Sequence, residues 1–509
     1  MRSKKAVANI IVSLIYQFIA IISGLIVPRL IISSFGSDVN GLVSSITRFL
    51  GYIVLLEAGV GGVVRAALYK PLAEKSTVSI SRIIKATEKF FRIIGLIFLG
   101  YLLIIAIIFP FMINNDFNSF FTFSLALIIG ISTFFQYYFG ISYQILLQAD
   151  QRQYISRIIQ IGTMILNTIL VILLVKLGFN IHFVKLASSI VFVCRPVLLH
   201  IYVNKEYQII KDVEPDNNAI KQRWDGLGHH IAFLLHNNTD ITVLTLFADI
   251  KEVSVYSVYY MIVSSIKKLT VTFSEGLEAA FGNMIAKGQK EVLDKNFRIY
   301  EFSIFTLTTI LFTSNALLIL PFVSLYTSGV TDVNYYRPMF AYVLTLAEAI
   351  YCIRIPYHSV VLAAGHYKET RNGAFVEAFI NIVISIILVR KMGLIGVAIG
   401  TIAAMLFRTT QYAVYLSKNI IKRSILVFIK KVIIYSLTTA LIVIVVNKIP
   451  DFMITSYASW IIYAIEVTII ASLITGIVGV VFYFEEIKNI YFIIKRLFSK
   501  RKTAKQWQL

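Results

Sequence analysis

Nine basic residues interrupt long apolar stretches of this chain, where an uncompensated charge is expensive. They are Arg29, Arg48, Arg65, Lys185, Arg195, Lys267, Lys268, Arg354 and Arg408. A cation at the lipid-facing centre of a membrane helix costs roughly 2.5–3.5 kcal/mol, so nine of them cannot all face hydrocarbon. Some must reach a membrane surface, and the others must face carboxylates or a water-filled cavity.

Depth within the apolar stretches divides these cations. Those within about two helical turns of an end can extend to the membrane surface; these are Arg29, Arg65 and Lys185. The deepest are the best candidates for binding a ligand; these are Arg48, Lys267, Lys268 and Arg354. Adjacent helical residues point about 100° apart, which predicts that only one of the two lysines faces a cavity.

Acidic residues in the same stretches should pair with some of the cations. They are Glu57, Asp240, Glu275, Glu278, Glu348, Glu377 and Glu466. Glu348 and Arg354 are six positions apart, too far for a standard intrahelical ion pair. Asp240 lies in the polar run HNNTDITVL, which either binds Na⁺ or a proton or forms a hydrogen-bonded helix contact. Asp240 and Glu57 are the candidates for coupling to a cation.

Metal and catalytic motifs are not apparent in the sequence. His229, His230 and His236 approach the polar run, but they lack metal-ligand spacing and carboxylate partners. Cys194 and Cys352 lie inside apolar stretches, which argues against a disulfide or a metal site. GxxxxGK[ST], GxSxG and HExxH are missing, and no loop is large enough for a nucleotide-sugar site. The sequence therefore predicts neither an enzyme nor a resident cofactor.

Fourteen apolar stretches predict an all-α integral membrane protein. Hydrophobic residues make up 58% of the chain, above the ~45–50% of ordinary soluble proteins, and the mean hydropathy is +0.78. Lipid cannot satisfy open backbone groups, and no alternation indicates a β-barrel, so the spans must be helices. They are 6–32, 40–68, 93–113, 119–147, 158–175, 183–203, 226–247, 254–283, 299–322, 338–363, 372–389, 394–416, 432–447 and 457–484.

The connecting segments predict the orientation of the chain. With the N-terminus inside, the inside segments carry 33 Lys and Arg residues and the outside loops carry six. This asymmetry predicts that both termini lie in the cytoplasm. The outside loop with Arg390 and Lys391 fits least well. The net charge of +21 is thus a topology signal and does not indicate nucleic-acid binding.

Two stretches about 213 positions apart resemble each other. VKLASSIVFVCRPVLLHIYVNK (184–205) aligns without a gap with VAIGTIAAMLFRTTQYAVYLSK (397–418), which places Arg195 on Arg408. Each copy forms the fifth and sixth span of a six-span set, a pattern typical of two-lobed transporters with a binding site between the lobes. The two arginines either brace equivalent helices or contact a substrate.

The predicted organisation follows from this repeat. It comprises an N-terminal lobe (1–204, spans 1–6), a polar cytoplasmic linker (205–224), a C-terminal lobe (225–420, spans 7–12), spans 13 and 14 (421–484) and a basic tail (485–509). In the tail, Ile487, Ile490, Ile494 and Leu497 share one helical face. This predicts either a helix that binds anionic membrane lipids or a tail that only fixes the topology.

Buried positive charge in excess of acids predicts an anionic ligand. A polyprenyl pyrophosphate fits, because its phosphate oxygens pair with Arg and Lys while its tail stays in lipid.

Several segments resemble bacterial polysaccharide flippases of the Wzx type, in the multidrug/oligosaccharidyl-lipid/polysaccharide exporter superfamily. They are PRLIISSFGSDVNGLVSSI (28–46), LLEAGVGGVVRAAL (55–68), NTDITVLTLFADIKEVSVYSVY (238–259), LYTSGVTDVNYYRP (325–338) and RIPYHSVVLAAGHYKETRNGAFVEAF with its continuation to residue 408. The resemblance implies a V-shaped cavity between two six-helix lobes, two additional C-terminal helices, and alternating access. It implies transport of a lipid-linked oligosaccharide across the bacterial cytoplasmic membrane, for the export of capsule or exopolysaccharide.

The resemblance also assigns roles to residues. Cationic cavity residues on spans 1, 2 and 8 match Arg29, Arg48, Lys267 and Lys268, and an acidic residue on span 7 that suggests cation coupling matches Asp240. A polysaccharide polymerase and glycosyltransferases are the implied partners.

Four alternatives remain open at this point: a lipid II flippase, a multidrug exporter of cations, a membrane polymerase or glycosyltransferase, and a scaffold. A cation exporter needs acids in its cavity, which the surplus of deep cations disfavours. A polymerase needs catalytic acids in an outer loop, and the longest such loop, 323–337, has only Asp332.

Overall fold

Helices account for almost all of the residues that the computed structural model describes, which are 2–57, 59–113, 117–210, 212–217, 238–274, 277–449, 454–493 and 495. The helices are α1 (Arg2–Gly51), α2 (Val54–Glu57), α3 (Val60–Glu74), α4 (Thr77–Met112), α5 (Ser119–Phe135), a π-helical turn (Gln136–Gly140), α6 (Ile141–Ala149), α7 (Gln153–Lys176), α8 (Ile181–Tyr207) and α9 (238–247). They continue as α10 (Ile250–Ser274), α11 (Leu277–Ala286), α12 (Lys290–Tyr326), α13 (Pro338–Ala363), α14 (Tyr367–Met392), α15 (Leu394–Asn419), α16 (Leu426–Asn447), α17 (Tyr457–Phe482) and α18 (484–493).

Eleven helices among the described residues are long and apolar enough to cross a membrane. One of them, Val7–Glu57, covers the predicted span 6–32 and the first part of the predicted span 40–68, and its helical conformation is interrupted between the two at Gly36 (φ 85°, ψ 170°). Two more predicted spans are not among the eleven. Span 226–247 lies largely outside the described residues, and span 254–283 carries two adjacent lysines among serines and tyrosines. The chain is a multi-pass, all-α membrane protein, and fourteen spans is an approximate count.

The predicted span 40–68 is not one continuous helix. α1 ends at Gly51, α2 is a single turn, and α3 begins at Val60. Gly59 adopts a left-handed conformation (φ 86°) just before α3, which a residue with a side chain rarely adopts. Hydropathy alone did not detect this break, because the glycines lie within an apolar run.

Helix ends recur at the spacing of the predicted internal repeat, which confirms the repeat. α4 and α12 end at Met112 and Tyr326, 214 positions apart, and α6 and α13 end at Ala149 and Ala363 with the same spacing. Left-handed turn residues recur at nearly the same spacing: Lys75 and Gly288, Gln151 and Gly365, Gly178 and Gly393, and Gln208 and Lys422.

The chain divides into two compact units. Unit 1 comprises Met1–Val258, Gly329–Val333 and Val389–Leu394, and unit 2 comprises Tyr259–Ser328, Asn334–Leu388 and Ile395–Leu509. Unit 1 therefore takes in α9 and the start of α10, which belong to the second copy of the repeat. The lobe boundaries 1–204 and 225–420 stay a prediction.

The linker and the tail are described only in part. In the linker, the backbone N–H of Ile210 donates to Ser81 Oγ (3.0 Å), and that of Asp216 donates to the carbonyl oxygen of Arg82 (3.1 Å), so its first half follows the start of α4. In the tail, α18 covers 484–493, and most of the predicted basic face lies outside the described residues.

Helices α16 and α17 pack against α12 in unit 2. Their shared core contains Leu318, Ile442, Val446, Val467 and Ala471. Trp460 Nε1 donates to the carbonyl oxygen of Leu318 (3.1 Å), and the capping box of Ser456 and Ser459 starts α17. The two additional helices are thus an integral part of unit 2.

Candidate functional site

Four helices of unit 2 bring buried charges together in an ion cluster of Lys267, Glu348, Arg354, Glu377 and Arg408. Lys267 Nζ on α10 lies 2.8 Å from Glu348 Oε2 on α13. Lys267 is 9% exposed and Glu348 is 3% exposed. Removing one partner of so buried a pair would leave the other as an uncompensated charge.

Glu377 on α14 lies between two arginines of the ion cluster. Arg354 Nη1 on α13 is 2.8 Å from Glu377 Oε1, and Arg408 Nε on α15 is 3.3 Å from Oε2. Arg408 also donates to the carbonyl oxygen of Thr370 (2.8 Å) and to the hydroxyl of Tyr412 (2.7 Å). All three nitrogens of Arg408 therefore have partners, which favours a bracing role for this residue.

Tyr351 connects the two ends of the ion cluster. Its ring centre lies 4.3 Å from Lys267 Nζ and 4.5 Å from Arg354 Cζ, both within cation–π range. Lys268 follows Lys267 on α10 and is exposed. Together with Lys268, the ion cluster has four basic side chains and two carboxylates, so positive charge remains in surplus.

The structure changes the interpretation of two predicted phosphate ligands. Lys267 and Arg354 are each paired with a carboxylate in this conformation, so they do not present bare charges. Their partners lie on neighbouring helices, which spacing along one helix does not reveal. As the spacing does indicate, Lys267 and Lys268 differ in surroundings, and Glu348 and Arg354 do not pair with each other.

The remaining predicted cations, Arg29 and Arg48, lie half-buried on α1 in unit 1. Arg48 and Asp240 both lie close enough to Tyr52 to interact electrostatically with its hydroxyl. Asp240 is 5% exposed, and its Oδ2 accepts a hydrogen bond from the hydroxyl of Tyr256 (2.8 Å). This contact favours the helix-contact interpretation of the polar run, while cation binding at Asp240 stays a prediction. His229, His230, His236 and Glu275 lie outside the described residues.

Glu57 lines a cavity of about 570 Å³ in unit 1. Tyr137 lines the same cavity, and its hydroxyl lies close enough to the carboxyl group of Glu57 for the two to interact. Arg65, which lines the same cavity, donates from Nη1 to Gln148 Oε1 (2.7 Å) and does not simply extend to a surface. The cavity therefore contains an acid beside a neutral phenol and a base hydrogen-bonded to a neutral amide.

A row of neutral hydrogen bonds joins α1 to α9 and α10 within unit 1. We call it the hydroxyl seam, and it consists of the pairs Asn40–Ser254, Ser45–Thr245 and Tyr52–Thr242, at 2.7–2.8 Å. At the end of the seam, Ser37 donates its backbone N–H and its hydroxyl to Asp332 (2.6 and 2.8 Å). Lys251 and Asp38 form an ion pair beside it (3.4 Å).

Glu301 on α12 was not predicted as a site residue, although it is fully buried (0% exposed). It is ion-paired with Arg423 and with Lys431 (2.7 Å to Nζ), and it accepts a hydrogen bond from the hydroxyl of Tyr357. Arg423 lies in the connection between α15 and α16, so this contact ties α16 to α12. The sequence did contain a signal for this pairing. Glu301 lies close to the inside end of the predicted span 299–322, and the basic residues Arg423 and Lys431 lie in another predicted inside loop.

Comparisons with known proteins identify the fold. No protein-family model matches the sequence, and no curated protein matches it. The lipid II flippase MurJ, in an inward closed conformation, matches with a TM-score of 0.68 at 17% identity, over 94% of this chain and 100% of that chain.

Two multidrug transporters also match by fold. An inward-facing multidrug resistance MATE family transporter of the MOP superfamily matches with a TM-score of 0.61 at 16% identity, over 79% of this chain and 95% of that chain. The MATE multidrug transporter DinF-BH matches with a TM-score of 0.58 at 15% identity, over 80% of this chain and 94% of that chain. The chain therefore has the fold shared by MurJ and the MATE transporters.

Proposed function

We propose that the protein is a flippase that moves an undecaprenyl-pyrophosphate-linked oligosaccharide from the inner to the outer leaflet by alternating access, for export of a cell-surface polysaccharide. The observation that supports this most is the surplus of basic side chains on membrane helices. Lys267, Lys268 and Arg354 contribute to it in unit 2, and Arg29 and Arg48 contribute in unit 1. Pyrophosphate is the part of the carrier that such residues would bind.

The carboxylates of the ion cluster suit a site that alternately binds and releases an anionic substrate. In the absence of substrate, Glu348 and Glu377 compensate the charges of Lys267 and Arg354. An entering pyrophosphate would exchange one anion for another, so no cation is left buried and unpaired during the return step. Substrate binding then shifts the equilibrium between the two access states.

The hydroxyl seam suits reversible opening. Its pairs are neutral hydrogen bonds, each contributing about 0.5–1.5 kcal/mol, so separating them costs less than separating buried ion pairs. Coupling to Na⁺ or H⁺ through Asp240 or Glu57 is part of the proposal. A polymerase and glycosyltransferases as partners, and anionic lipids at the tail 485–509, complete it.

Export of polysaccharide tests the proposal directly. We expect Arg48→Ala and Lys268→Ala to abolish complementation of a strain that lacks its polysaccharide flippase, with normal protein levels on immunoblots. Lys70→Ala is the matched control, because its side chain is 84% exposed. Normal export by both variants would remove Arg48 and Lys268 from the site.

A lipid II flippase is the second candidate, because MurJ matches over 94% of this chain and 100% of its own length. Rescue of cells depleted of their lipid II flippase would favour this substrate. Rescue of polysaccharide export alone would favour the first proposal. Extrusion of cationic dyes without either rescue would support a multidrug transporter and contradict both.

A further inference from the structure

The two copies of the repeat use one buried arginine in different ways. Arg195 is the fifteenth residue of α8, and Arg408 is the fifteenth residue of α15. Thr163 and Glu377 are each the eleventh residue of the preceding helix, α7 and α14. In both units the arginine Nε contacts that residue: 2.7 Å to Thr163 Oγ1 and 3.3 Å to Glu377 Oε2.

The difference lies in the charge of the partner. Arg408 is 3% exposed and compensated by a carboxylate, as described above. Arg195 contacts a neutral hydroxyl, and the same hydroxyl donates its proton to the carbonyl oxygen of Ile159 (2.9 Å). The other contact of Arg195 is the ring of Phe192, 4.2 Å from Cζ. Among the described residues, the charge of Arg195 is therefore not compensated by a carboxylate.

A second arginine, Arg157, lies near Arg195 around a different aromatic residue, Tyr16. Arg157 Cζ is 4.4 Å from the ring centre of Tyr16 on α1, and Arg195 is close enough to Tyr16 to interact with its hydroxyl. Arg157 Nη1 donates to the neutral Gln160 Oε1 (3.0 Å), and its buried Nε has no hydrogen-bond partner. In the part of the chain that the structure describes, no carboxylate lies within ion-pair distance of either arginine.

We infer that Arg157, Arg195 and Tyr16 form a binding site for a phosphate group carried by a lipid. Two guanidinium groups with unused N–H donors match the geometry of phosphate oxygens, and the phenol adds a neutral donor. The phosphate supplies to Arg195 the negative charge that Glu377 supplies to Arg408. Because α1, α7 and α8 are membrane helices, a lipid headgroup is the phosphate that reaches this position.

Two sources of this phosphate are distinguishable. One is a bulk anionic phospholipid, and the other is a polyprenyl pyrophosphate carrier. The site does not depend on the proposed transport, because either lipid satisfies the two arginines.

Thr163→Glu is the sharpest test, because it gives unit 1 the carboxylate that unit 2 already has. The full-length protein in neutral detergent would be titrated with short-chain phosphatidylglycerol, polyprenyl diphosphate and, as a neutral comparator, phosphatidylcholine, and bound lipid counted by native mass spectrometry. We expect Thr163→Glu to weaken binding of the anionic lipids about tenfold or more. The loss of one hydrogen bond between a charged arginine and a phosphate oxygen reduces the affinity by about that factor.

Arg157→Gln combined with Arg195→Gln should produce the same loss, and it covers the case in which Thr163→Glu fails to fold. Arg371→Gln is the control, because Arg371 is the repeat equivalent of Arg157 on α14 and is exposed. It should bind like the wild-type protein. If the variants lose binding of phosphatidylglycerol alone, the ligand is a bulk phospholipid. If they lose binding of polyprenyl diphosphate alone, the ligand is the carrier. Unchanged binding of both lipids by the variants, or equal binding of phosphatidylcholine by the wild-type protein, overturns the inference.

Discussion

Lys267 illustrates how a single buried side chain contributes both to stability and to the proposed site. Lys267→Met removes a candidate phosphate ligand and leaves Glu348, 3% exposed, without its partner. We expect the free energy of unfolding to fall by about 3–5 kcal/mol, the usual cost of breaking a buried ion pair. Unfolding of the purified protein, followed by circular dichroism, measures this loss.

The double variant Lys267→Met/Glu348→Gln separates the two contributions. Replacing both charges should restore most of the lost stability, because no unpaired charge remains. Polysaccharide export should stay defective if Lys267 binds phosphate. Full export by this stable double variant would show that the lysine serves stability alone.

Glu301 gives the corresponding prediction for a residue with a purely structural role. Glu301→Ala leaves Arg423 and Lys431 without their shared carboxylate, and we expect a loss of about 3–5 kcal/mol. Asp294→Asn on the same helix is the control, because its ion pair with Arg298 is partly exposed and contributes less than about 1 kcal/mol. Equal thermal midpoints for the two variants would contradict the assignment.

At the scale of helices, Gly41 determines how closely α1 approaches the start of α10. A Cβ atom at Gly41 would lie 2.0 Å from the carbonyl oxygen of Ile250, so the two backbones could not keep their distance. Gly24 on the same helix has no atom within 4 Å of such a Cβ, which makes Gly24→Ala the matched control.

We therefore expect Gly41→Ala to open the hydroxyl seam. In a Cys194→Ser background, Val253→Cys would be unreactive in the closed seam, since Val253 is 0% exposed. Addition of Gly41→Ala should raise its labelling by a water-soluble maleimide severalfold, and Gly24→Ala should not. Similar labelling of both glycine variants would mean that the close approach at Gly41 is not needed to close the seam.

Hydropathy and repetition predicted most helices but not their interruptions. The turns of the second copy fall within two residues of where the alignment of 184–205 with 397–418 predicts them. The breaks at Gly51 and Gly59 were missed, since glycine hardly changes an apolar average yet permits backbone angles that end a helix.

The candidate site was predicted less completely than the fold, for a physical reason. A cation inside an apolar run is conspicuous in the sequence, which is how Arg48, Lys267 and Arg354 were found. Its counter-charge lies on another helix, as Glu377 on α14 does for Arg354 on α13, and only packing brings the two together. Positions of charges were therefore predictable, but their compensation was not.

At the scale of the whole molecule, the distribution of basic residues makes the orientation testable. The 33 Lys and Arg residues of the predicted inside segments, against six outside, predict that both termini lie in the cytoplasm. We expect a green fluorescent protein fused after residue 509 to fluoresce and alkaline phosphatase at the same position to be inactive. Active alkaline phosphatase there would place the C-terminus outside and contradict the predicted orientation.

The recurring left-handed turns also have a consequence for the ancestry of this chain. They indicate duplication and fusion of a gene about half as long, and a product with the six predicted spans of one copy would have had both ends on one side of the bilayer. Fusion then needed only a short connection, and both copies kept the same insertion direction. Divergence at single positions, such as Thr163 in one copy and Glu377 in the other, was enough to give the two copies a different charge beside the equivalent arginine.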